Sequence, residues 1–180
     1  MRTFIAIDLP DDARDAISDL QADVPVGKLS APENLHLTLA FLNEQPAEVV
    51  ENAHHALLSL SRPPFDMRLA GVETFGGNDP KVLVANVQAN TALDALHRKI
   101  RSILHGAGIM LDRQRFRPHV TLARFPHRPT ATEMERLRAW LLAHSDFAVP
   151  AFSVTEVVLF RSTLMRSGAV HDELARYPLR

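Results

Sequence analysis

The sequence contains no cysteine, only seven glycines, one tryptophan and one tyrosine in 180 residues. The lack of cysteine excludes disulfides, thiolate nucleophiles and cysteine-ligated metal sites. No apolar run is long enough to cross a bilayer, and the amino end, Met1–Asp8, acquires charge too soon for a signal peptide. We therefore expect a cytoplasmic globular protein without a membrane partner, and Met1–Asp8 is interpreted as a first strand.

The sequence also lacks the signatures of several common chemistries. It has no Gly-x-Ser-x-Gly segment of the serine hydrolases and no His-Glu-x-x-His segment of the zinc peptidases. Gly76-Gly77 stands in a turn and not in a phosphate-binding loop. Nine histidines and scattered carboxylates leave a mixed metal site open, but no spacing favours one. We expect neither a metal nor another cofactor.

The most informative feature present is a tetrapeptide that occurs twice, as His36-Leu37-Thr38-Leu39 and as His119-Val120-Thr121-Leu122. Alternating polar and apolar residues predict a β-strand with one buried face, on which each histidine lies beside its own threonine. One such segment is an ordinary exposed pair, but two in the same setting favour a function. If the strands meet, two imidazoles are suited to general acid–base catalysis and two hydroxyls to holding an oxyanion.

The distribution of charge points to an anionic substrate. The formal net charge is −1, so the whole molecule is not a basic scavenger of nucleic acid. Between residues 113 and 132 there is no acidic residue, and the second motif lies among arginines. These are Arg113, Arg115, Arg117, Arg124 and Arg128. Arginine binds phosphate well, so we expect a phosphate-bearing substrate, with a solvated basic strand edge as the alternative.

The other patterns predict strands and helices in alternation. The predicted helices begin after Pro10, at Pro46, at Thr91 with a Thr91–Asp94 capping box, and near Thr132 with Glu135, the last with Leu137, Leu141 and Leu142 as its apolar residues. The predicted strands cover Leu35–Phe41, Phe65–Phe75, Lys81–Val87, Pro118–Phe125 and two or three segments after Phe147. This order indicates one unit used twice in a single domain, 1–180, with two lobes related by a pseudo-twofold and a cleft between them.

These residues resemble the 2H phosphoesterase superfamily, and within it the RNA 2′,3′-cyclic phosphodiesterases, also described as 2′-5′ RNA ligase-like. The resemblance spans most of the chain and is most specific in Arg2–Pro10, Pro32–Leu42 and Phe116–Arg124. It implies a bilobal α+β fold of the LigT-like type, with two antiparallel sheets lining a central cleft and helices outside. It also implies a metal-independent hydrolase that converts RNA 2′,3′-cyclic phosphate ends to 2′-phosphomonoesters.

The resemblance assigns roles by motif position. His36 is expected to be the proton donor and His119 the proton acceptor, while Thr38 and Thr121 bind the phosphate oxygens. The order of acid and base comes from the resemblance alone. Arg124 is a further candidate for substrate binding. On a regular strand it would point away from His119, so it can contribute only if the strand ends or bulges there.

Two further residues are candidates for substrate binding, Phe41 and His171. The sequence also departs from the family pattern at two positions, Asn43 and His171. Phe41 is a possible substrate-binding aromatic residue. Asn43 stands where relatives often have glycine, and asparagine tolerates the left-handed conformation, so we expect the turn to be intact. Relatives often have a tyrosine a few residues after a late glycine. This chain has Gly168 and then His171, which we include as a possible substrate contact.

Alternative functions remain open from the sequence. A non-catalytic RNA-binding module would explain the arginines and the aromatic residues, but not two histidines in one pattern. A phosphodiesterase acting on a small cyclic nucleotide or on 2′-5′ oligoadenylate would use the same residues, as would one acting on tRNA fragments. Ligation that forms a 2′-5′ bond is the same path reversed. No obligate protein partner is expected.

Overall fold

A computed structural model gives the fold and describes residues 1–113, 115–166 and 168–180. These residues form four α-helices, ten β-strands and a 3-10 helix at Pro32–Asn34. The helices are α1 (Asp11–Gln21), α2 (Ala47–Leu57), α3 (Thr91–Gly106) and α4 (Ala131–Ala143). The strands are β1 (Arg2–Asp8), β2 (Lys28–Leu29), β3 (His36–Glu44), β4 (Phe65–Met67), β5 (Leu69–Phe75), β6 (Val82–Val87), β7 (His119–Arg124), β8 (Phe152–Val154), β9 (Glu156–Met165) and β10 (Gly168–Pro178).

The order of elements repeats once along the chain. The series β1-α1-β3-α2-β4-β5 is matched by β6-α3-β7-α4-β8-β9, with β2 and β10 outside the repeat. The two His-x-Thr segments occupy the same place in each series, since β3 begins at His36 and β7 at His119. The repeated unit inferred from the two motifs therefore extends to six elements in each half.

Eight of the strands form one continuous antiparallel sheet, in which two four-stranded halves meet along one edge. One half has the order β10-β9-β1-β3, and the other contains β5, β6, β7 and β2. The last strand of each repeat crosses to the other half, because β9 pairs with β1 and β5 pairs with β6. A single residue pair, Leu37 with Val120, joins β3 to β7. A separate two-stranded sheet pairs β4 with β8.

The helices and the inner faces of both halves of the large sheet form one hydrophobic cluster. Helix α3 shows why: Leu93, Leu96, Ile100 and Leu104 recur at helical spacing and are all buried. Leu37 is fully buried in this cluster, so the opposite face of its strand is left for polar residues. In the described part of the chain, no helix is both long and apolar enough to cross a membrane.

Two predicted helix caps are wrong by one or two residues. The side chain of Asn90, and not that of Thr91, accepts the backbone N–H of Leu93 at the start of α3. At α4 the capping box consists of Thr130 and Glu133, and not of Thr132 and Glu135. Thr130–Glu133 and Thr132–Glu135 both have the three-residue spacing of a capping box. Pro129, the residue before Thr130, is buried, which spacing alone does not reveal.

The apolar face predicted for α4 is also partly wrong. Leu137 is buried, but Leu142 is 78% exposed. The large buried side chain in this part of the helix is Trp140, whose indole N–H donates to the Asp23 carboxylate at 2.8 Å. The helix is oriented so that Trp140 is buried and Leu142 is exposed, because burying the larger apolar side chain is more favourable. Asn43 adopts a φ of 59°, so the left-handed conformation expected of it is present.

Candidate active site

All seven predicted site residues line one cleft. The cleft has a volume of about 890 Å³ and lies where β3 and β7 meet. The predicted residues that line it are His36, Thr38, Phe41, His119, Thr121, Arg124 and His171. A smaller cavity of about 380 Å³ lies beside Phe125 and is lined by none of them. Predicted residues from three different strands, β3, β7 and β10, therefore converge on one space.

The pairing of β3 with β7 explains why the two motifs face each other. Leu37 lies opposite Val120, and both side chains are buried. In an antiparallel pair, the residues on either side of such a pair share the other face of the sheet. This geometry places each histidine on the side of the other motif's threonine. The two imidazoles and two hydroxyls thus alternate around the local twofold.

Both motif histidines make the same kind of hydrogen bond, to the backbone oxygen of the residue two positions earlier. The Nδ1 atom of His36 lies 2.7 Å from the backbone oxygen of Asn34, and that of His119 lies 2.7 Å from the backbone oxygen of Arg117. A carbonyl only accepts, so Nδ1–H is the donor in both cases. The Nε2 atom is therefore the nitrogen available for chemistry. It can accept a proton when the ring is neutral and donate one when the ring is charged.

A β-bulge in each motif strand changes the direction of the side chains after the threonine. On β7, Thr121 and Ala123 pair with the consecutive residues Val84 and Leu83, so Leu122 is the extra residue. The bulge reverses the alternation of faces, and Arg124 returns to the side of His119. This is the condition under which Arg124 was expected to reach the cleft, and Arg124 does line it.

The first motif strand has a matching bulge. Thr38 and Ala40 pair with the consecutive residues Ala6 and Ile5 of β1. As on β7, the residue after the alanine then lies on the cleft side. That residue is Phe41, whose side chain is 46% exposed and lines the cleft.

The bulge on β7 is supported by hydrogen bonds from α1 and from the segment after β2. The backbone oxygen of Leu122 accepts the backbone N–H of Ser30 at 2.9 Å and the side-chain amide of Gln21 at 2.8 Å. The same amide nitrogen donates to the backbone oxygen of Ser30 at 2.9 Å. Gln21 is one of the few buried polar side chains in the described residues, and these bonds account for its burial.

An aromatic cluster surrounds His36. The ring of Phe4 stacks on His36 with centroids 4.7 Å apart, and His171 contacts His36 edge-on at 5.1 Å. Phe4 also stacks on Phe160 at 5.3 Å and contacts Phe41 at 5.7 Å. The buried Phe4 therefore links the other rings of the cluster. Sequence reasoning missed it, because an aromatic residue in a first strand looks like ordinary core.

His119 has a different surrounding. The rings of Phe75 and His119 form a T-shaped pair with centroids 4.8 Å apart, and the guanidinium of Arg117 lies over the Phe75 ring, 3.9 Å from its centroid. Arg117 also pairs with Glu73 at 3.2 Å. Arg117 therefore contacts Phe75, which in turn contacts His119. Among the five arginines of the basic segment, only Arg124 lines the cleft.

The protonated forms of the cleft histidines are disfavoured in the free protein. Burial, followed by the nearby His171, lowers the pKa of His36 from 6.5 to about 4, against the opposing effect of its bond to Asn34. Burial also lowers the pKa of His119 and of His171, and in both cases the charge of Arg124 adds to the effect. A bound anion would oppose these causes and favour the charged imidazoles.

Several residues of the cleft carry no predicted role. Besides Phe4, the lining includes Arg2, Lys28 and Asn34. The Asn34 side chain donates to the backbone oxygen of Ala169 at 2.8 Å, which ties the loop before β3 to β10. No motif marks these positions, because they reach the cleft only through tertiary folding. Within the described ranges, no group of three or more histidine, aspartate or glutamate side chains is placed to hold a metal ion.

Comparison with known proteins gives a consistent result. The sequence profile described as the 2′-5′ RNA ligase superfamily matches residues 9–164. An RNA 2′,3′-cyclic phosphodiesterase of Geobacillus stearothermophilus is 32% identical over 183 residues, covering 98% of this chain and 56% of that protein, so the chain spans little more than half of this relative.

Solved structures agree over nearly the whole chain. TT0787 of Thermus thermophilus superposes with a TM-score of 0.81 at 28% identity, covering 100% of this chain and 98% of that one. E. coli LigT complexed with 3′-AMP superposes with a TM-score of 0.77 at 27% identity, covering 99% and 97% of the two chains.

Proposed function

The chain belongs to the 2′-5′ RNA ligase superfamily, and we propose that it hydrolyses 2′,3′-cyclic phosphates at RNA ends to 2′-phosphomonoesters. The predicted α+β fold of the 2H phosphoesterases is confirmed by the superpositions. The observation that supports the reaction best is the pair of histidines with matched Nδ1 bonds in one cleft. Each has Nε2 available, which is what a donor and an acceptor of protons both need.

The proposed reaction is one displacement at phosphorus. His119 in its neutral form accepts a proton from water at Nε2, and the water oxygen forms a bond to phosphorus. The bond from phosphorus to the 3′-oxygen breaks, and that oxygen takes the proton from Nε2 of charged His36. The products are a 2′-phosphate and a 3′-hydroxyl, and solvent exchange restores both imidazoles. Thr38 and Thr121 donate to the nonbridging oxygens, where negative charge grows.

The low pKa of His36 fits this role only together with the substrate. In the free protein the ring is neutral at neutral pH. The phosphodiester brings a negative charge beside His36, which favours the imidazolium. Arg124 binds the same anion. We propose that a proton is taken up when the substrate binds and is then transferred to the leaving oxygen.

Finer features belong to the same proposal. We place the reaction in the cytoplasm, in keeping with a sequence without cysteine, and treat 1–180 as one bilobal domain that needs no metal and no obligate partner. tRNA fragments are a suitable substrate, and so are small cyclic nucleotides or 2′-5′ oligoadenylate. The reverse reaction would join ends through a 2′-5′ bond. The RNA-binding module without catalysis is the alternative that the next experiment separates.

The test uses an RNA oligonucleotide that ends in a 2′,3′-cyclic phosphate, incubated with the protein and EDTA. We expect the terminus to gain one water and to become a 2′-phosphate, identified by phosphorus NMR against the 3′-isomer. His36→Ala and His119→Ala should each lower kcat by about a hundredfold or more, because each removes one proton transfer. His105→Ala, an exposed histidine on α3, is the control and should behave as wild type.

Each result has a definite meaning. Tight binding of the RNA without turnover would favour the binding module. Turnover that is lost with EDTA and restored by a divalent metal would contradict the metal-independent reaction. Near-normal turnover by either histidine variant would show that the assigned role is wrong.

A further inference from the structure

Each motif histidine forms a T-shaped pair with a ring from a strand at one end of the large sheet. His171 of β10 lies 5.1 Å from His36, and Phe75 of β5 lies 4.8 Å from His119, measured between ring centroids. The angles between the ring planes are 73° and 74°. In the order of the sheet, β10 and β5 are the two end strands. The two imidazoles are therefore packed in the same geometry by different parts of the chain.

The residue two positions before each histidine is joined to the same end strand. The side-chain amide of Asn34 donates to the backbone oxygen of Ala169 on β10 at 2.8 Å. The guanidinium of Arg117 donates to the carboxylate of Glu73 on β5 at 3.2 Å and lies over the ring of Phe75. Ala169 and Glu73 each lie two residues before the ring that contacts the histidine. We call these two connections the side-chain ties.

Asn34 and Arg117 thus act on each imidazole in two ways. Their backbone oxygens accept the Nδ1–H of His36 and of His119, both at 2.7 Å. Their side chains hold the strand whose ring packs against the same imidazole. The hydrogen bond sets which nitrogen faces the cleft, and the packed ring restricts rotation of the imidazole about that bond.

The likeness of the two ties is not a consequence of the repeated elements. β5 is the last strand of the first series, whereas β10 lies outside both series. The ties also differ in chemistry, because one is a neutral hydrogen bond to the backbone and the other an ion pair between side chains. Two unrelated strands give one geometry at both histidines, which favours a role in holding the rings.

We infer that Asn34 and Arg117 are positioning residues, which hold Nε2 of His36 and of His119 in the direction of the reacting atoms. The inference deepens the proposed function and rests on it. Arg117 and Glu73 are not among the residues that line the cleft, so their tie acts through His119 and not through the substrate. Loss of orientation at a proton-transferring group slows the reaction. The expected signature is therefore a lower kcat with an unchanged KM.

An effect through charge alone would differ between the two members of the ion pair. Burial is the main cause of the lowered pKa of His119. Among the charged groups that face it, Arg124 and Arg117 lower the pKa further, and Glu73 raises it. Removal of Arg117 should thus raise this pKa, and removal of Glu73 should lower it. A loss of kcat in both variants would come from the tie and not from the charge.

The first experiment measures kcat and KM for the RNA that ends in a 2′,3′-cyclic phosphate, across about pH 4 to 8. Arg117→Ala should lower the maximal kcat about tenfold, because the ion pair and the contact with Phe75 are both lost. Glu73→Ala loses only the ion pair and should lower it about threefold. The double variant should be no slower than Arg117→Ala, since both substitutions break one tie. Arg113→Ala, an exposed arginine outside the cleft lining, is the matched control and should behave as wild type.

The second experiment measures positioning without turnover, by NMR of the imidazole Nδ1–H groups in the free protein. In Arg117→Ala, the Nδ1–H of His119 should exchange with solvent about tenfold faster than in wild type, and that of His36 should be unchanged. Asn34→Ala keeps the backbone oxygen and removes only the amide. It should speed exchange at His36 and leave His119 unchanged, and it should lower kcat about fivefold.

The outcomes separate this inference from the proposed reaction. Wild-type exchange and kcat in both Arg117→Ala and Asn34→Ala would overturn the positioning role. So would opposite changes of kcat in Arg117→Ala and Glu73→Ala, or a rise of KM in place of a fall in kcat. Faster exchange at both histidines in either variant would indicate general loosening and would also overturn it. A wild type that does not hydrolyse the RNA, but whose variants show the expected exchange, would remove only the reaction.

Discussion

At the scale of residues, the chemistry depends on how the surroundings of three imidazoles alter their protonation. Burial is the largest cause of the lowered pKa of His36, His119 and His171, and the charge of Arg124 adds to it in each case. The same burial allows the hydrogen bonds from Nδ1 to hold the rings of His36 and His119 in one orientation. A histidine in water would have neither property.

The pH dependence of turnover follows from these shifts. The value of kcat/KM reports on the free protein, where the pKa values of both catalytic histidines lie below 6.5. We expect a bell whose maximum lies on the acidic side of pH 6.5. The maximum of kcat should lie at higher pH, because the bound phosphate favours the charged imidazole. Steady-state kinetics across about pH 4 to 8 checks both curves, and a flat profile would contradict paired-histidine catalysis.

At the scale of elements, the bulges do more than bend the strands. Without the extra residue at Leu122, Arg124 would lie on the buried side of β7. The bonds that Gln21 and Ser30 donate to the Leu122 oxygen keep this geometry. An interaction between α1 and β7 therefore decides whether the second motif can use its arginine.

The helix caps offer a direct test of element boundaries. Thr130 accepts the backbone N–H of Glu133, and the Glu133 carboxylate accepts the backbone N–H of Thr130. Thr130→Ala should lower the free energy of unfolding by about 1 kcal/mol, because a helix N–H loses its partner. Thr132→Ala, the cap that spacing also allowed, should change it by less than about 0.5 kcal/mol. Urea denaturation measures both changes. A larger loss of stability in Thr132→Ala than in Thr130→Ala would show that Thr132 is the cap. RNA turnover should be unchanged in both variants.

At the scale of the whole molecule, the cleft makes the fold sensitive to acid. The pKa of His36 is about 6.5 in the unfolded chain and about 4 in the folded one, so the unfolded state binds more protons in between. The free energy of unfolding should therefore fall as pH decreases from about 6.5 to about 4. His36 alone contributes on the order of 3 kcal/mol to this loss, and the lowered pKa of His119 and His171 acts in the same direction.

Urea denaturation at about pH 7 and about pH 5 tests this effect. His36→Phe removes the titrating group while keeping a ring beside Phe4, and it should reduce the difference between the two conditions. His105→Ala is exposed and should follow wild type. The explanation fails if the free energy of unfolding of wild type is the same at both pH values. It also fails if His36→Phe loses as much stability as wild type between the higher and the lower pH.

The crossed strands link the two halves of the molecule. Each repeat supplies its last strand to the other repeat's half of the sheet, β9 beside β1 and β5 beside β6. The cleft is formed where the two halves of the large sheet meet at Leu37 and Val120. The relative position of the two motifs is thus fixed by pairings that lie far apart in the chain.

The sequence by itself determined the repeated unit, the alternation of elements and the two histidine–threonine pairs. It could do so because alternation and helical spacing are local consequences of burying one face of a strand or helix. Only the tertiary structure decided that Arg124 and Phe41 reach the cleft, because a bulge depends on the partner strand. The same holds for the stack of Phe4 on His36 and for the capping of α4 by Thr130, since both depend on what packs against them. Local patterns determine which residues share one face of a strand or helix. Long-range pairing determines which other parts of the molecule lie opposite that face.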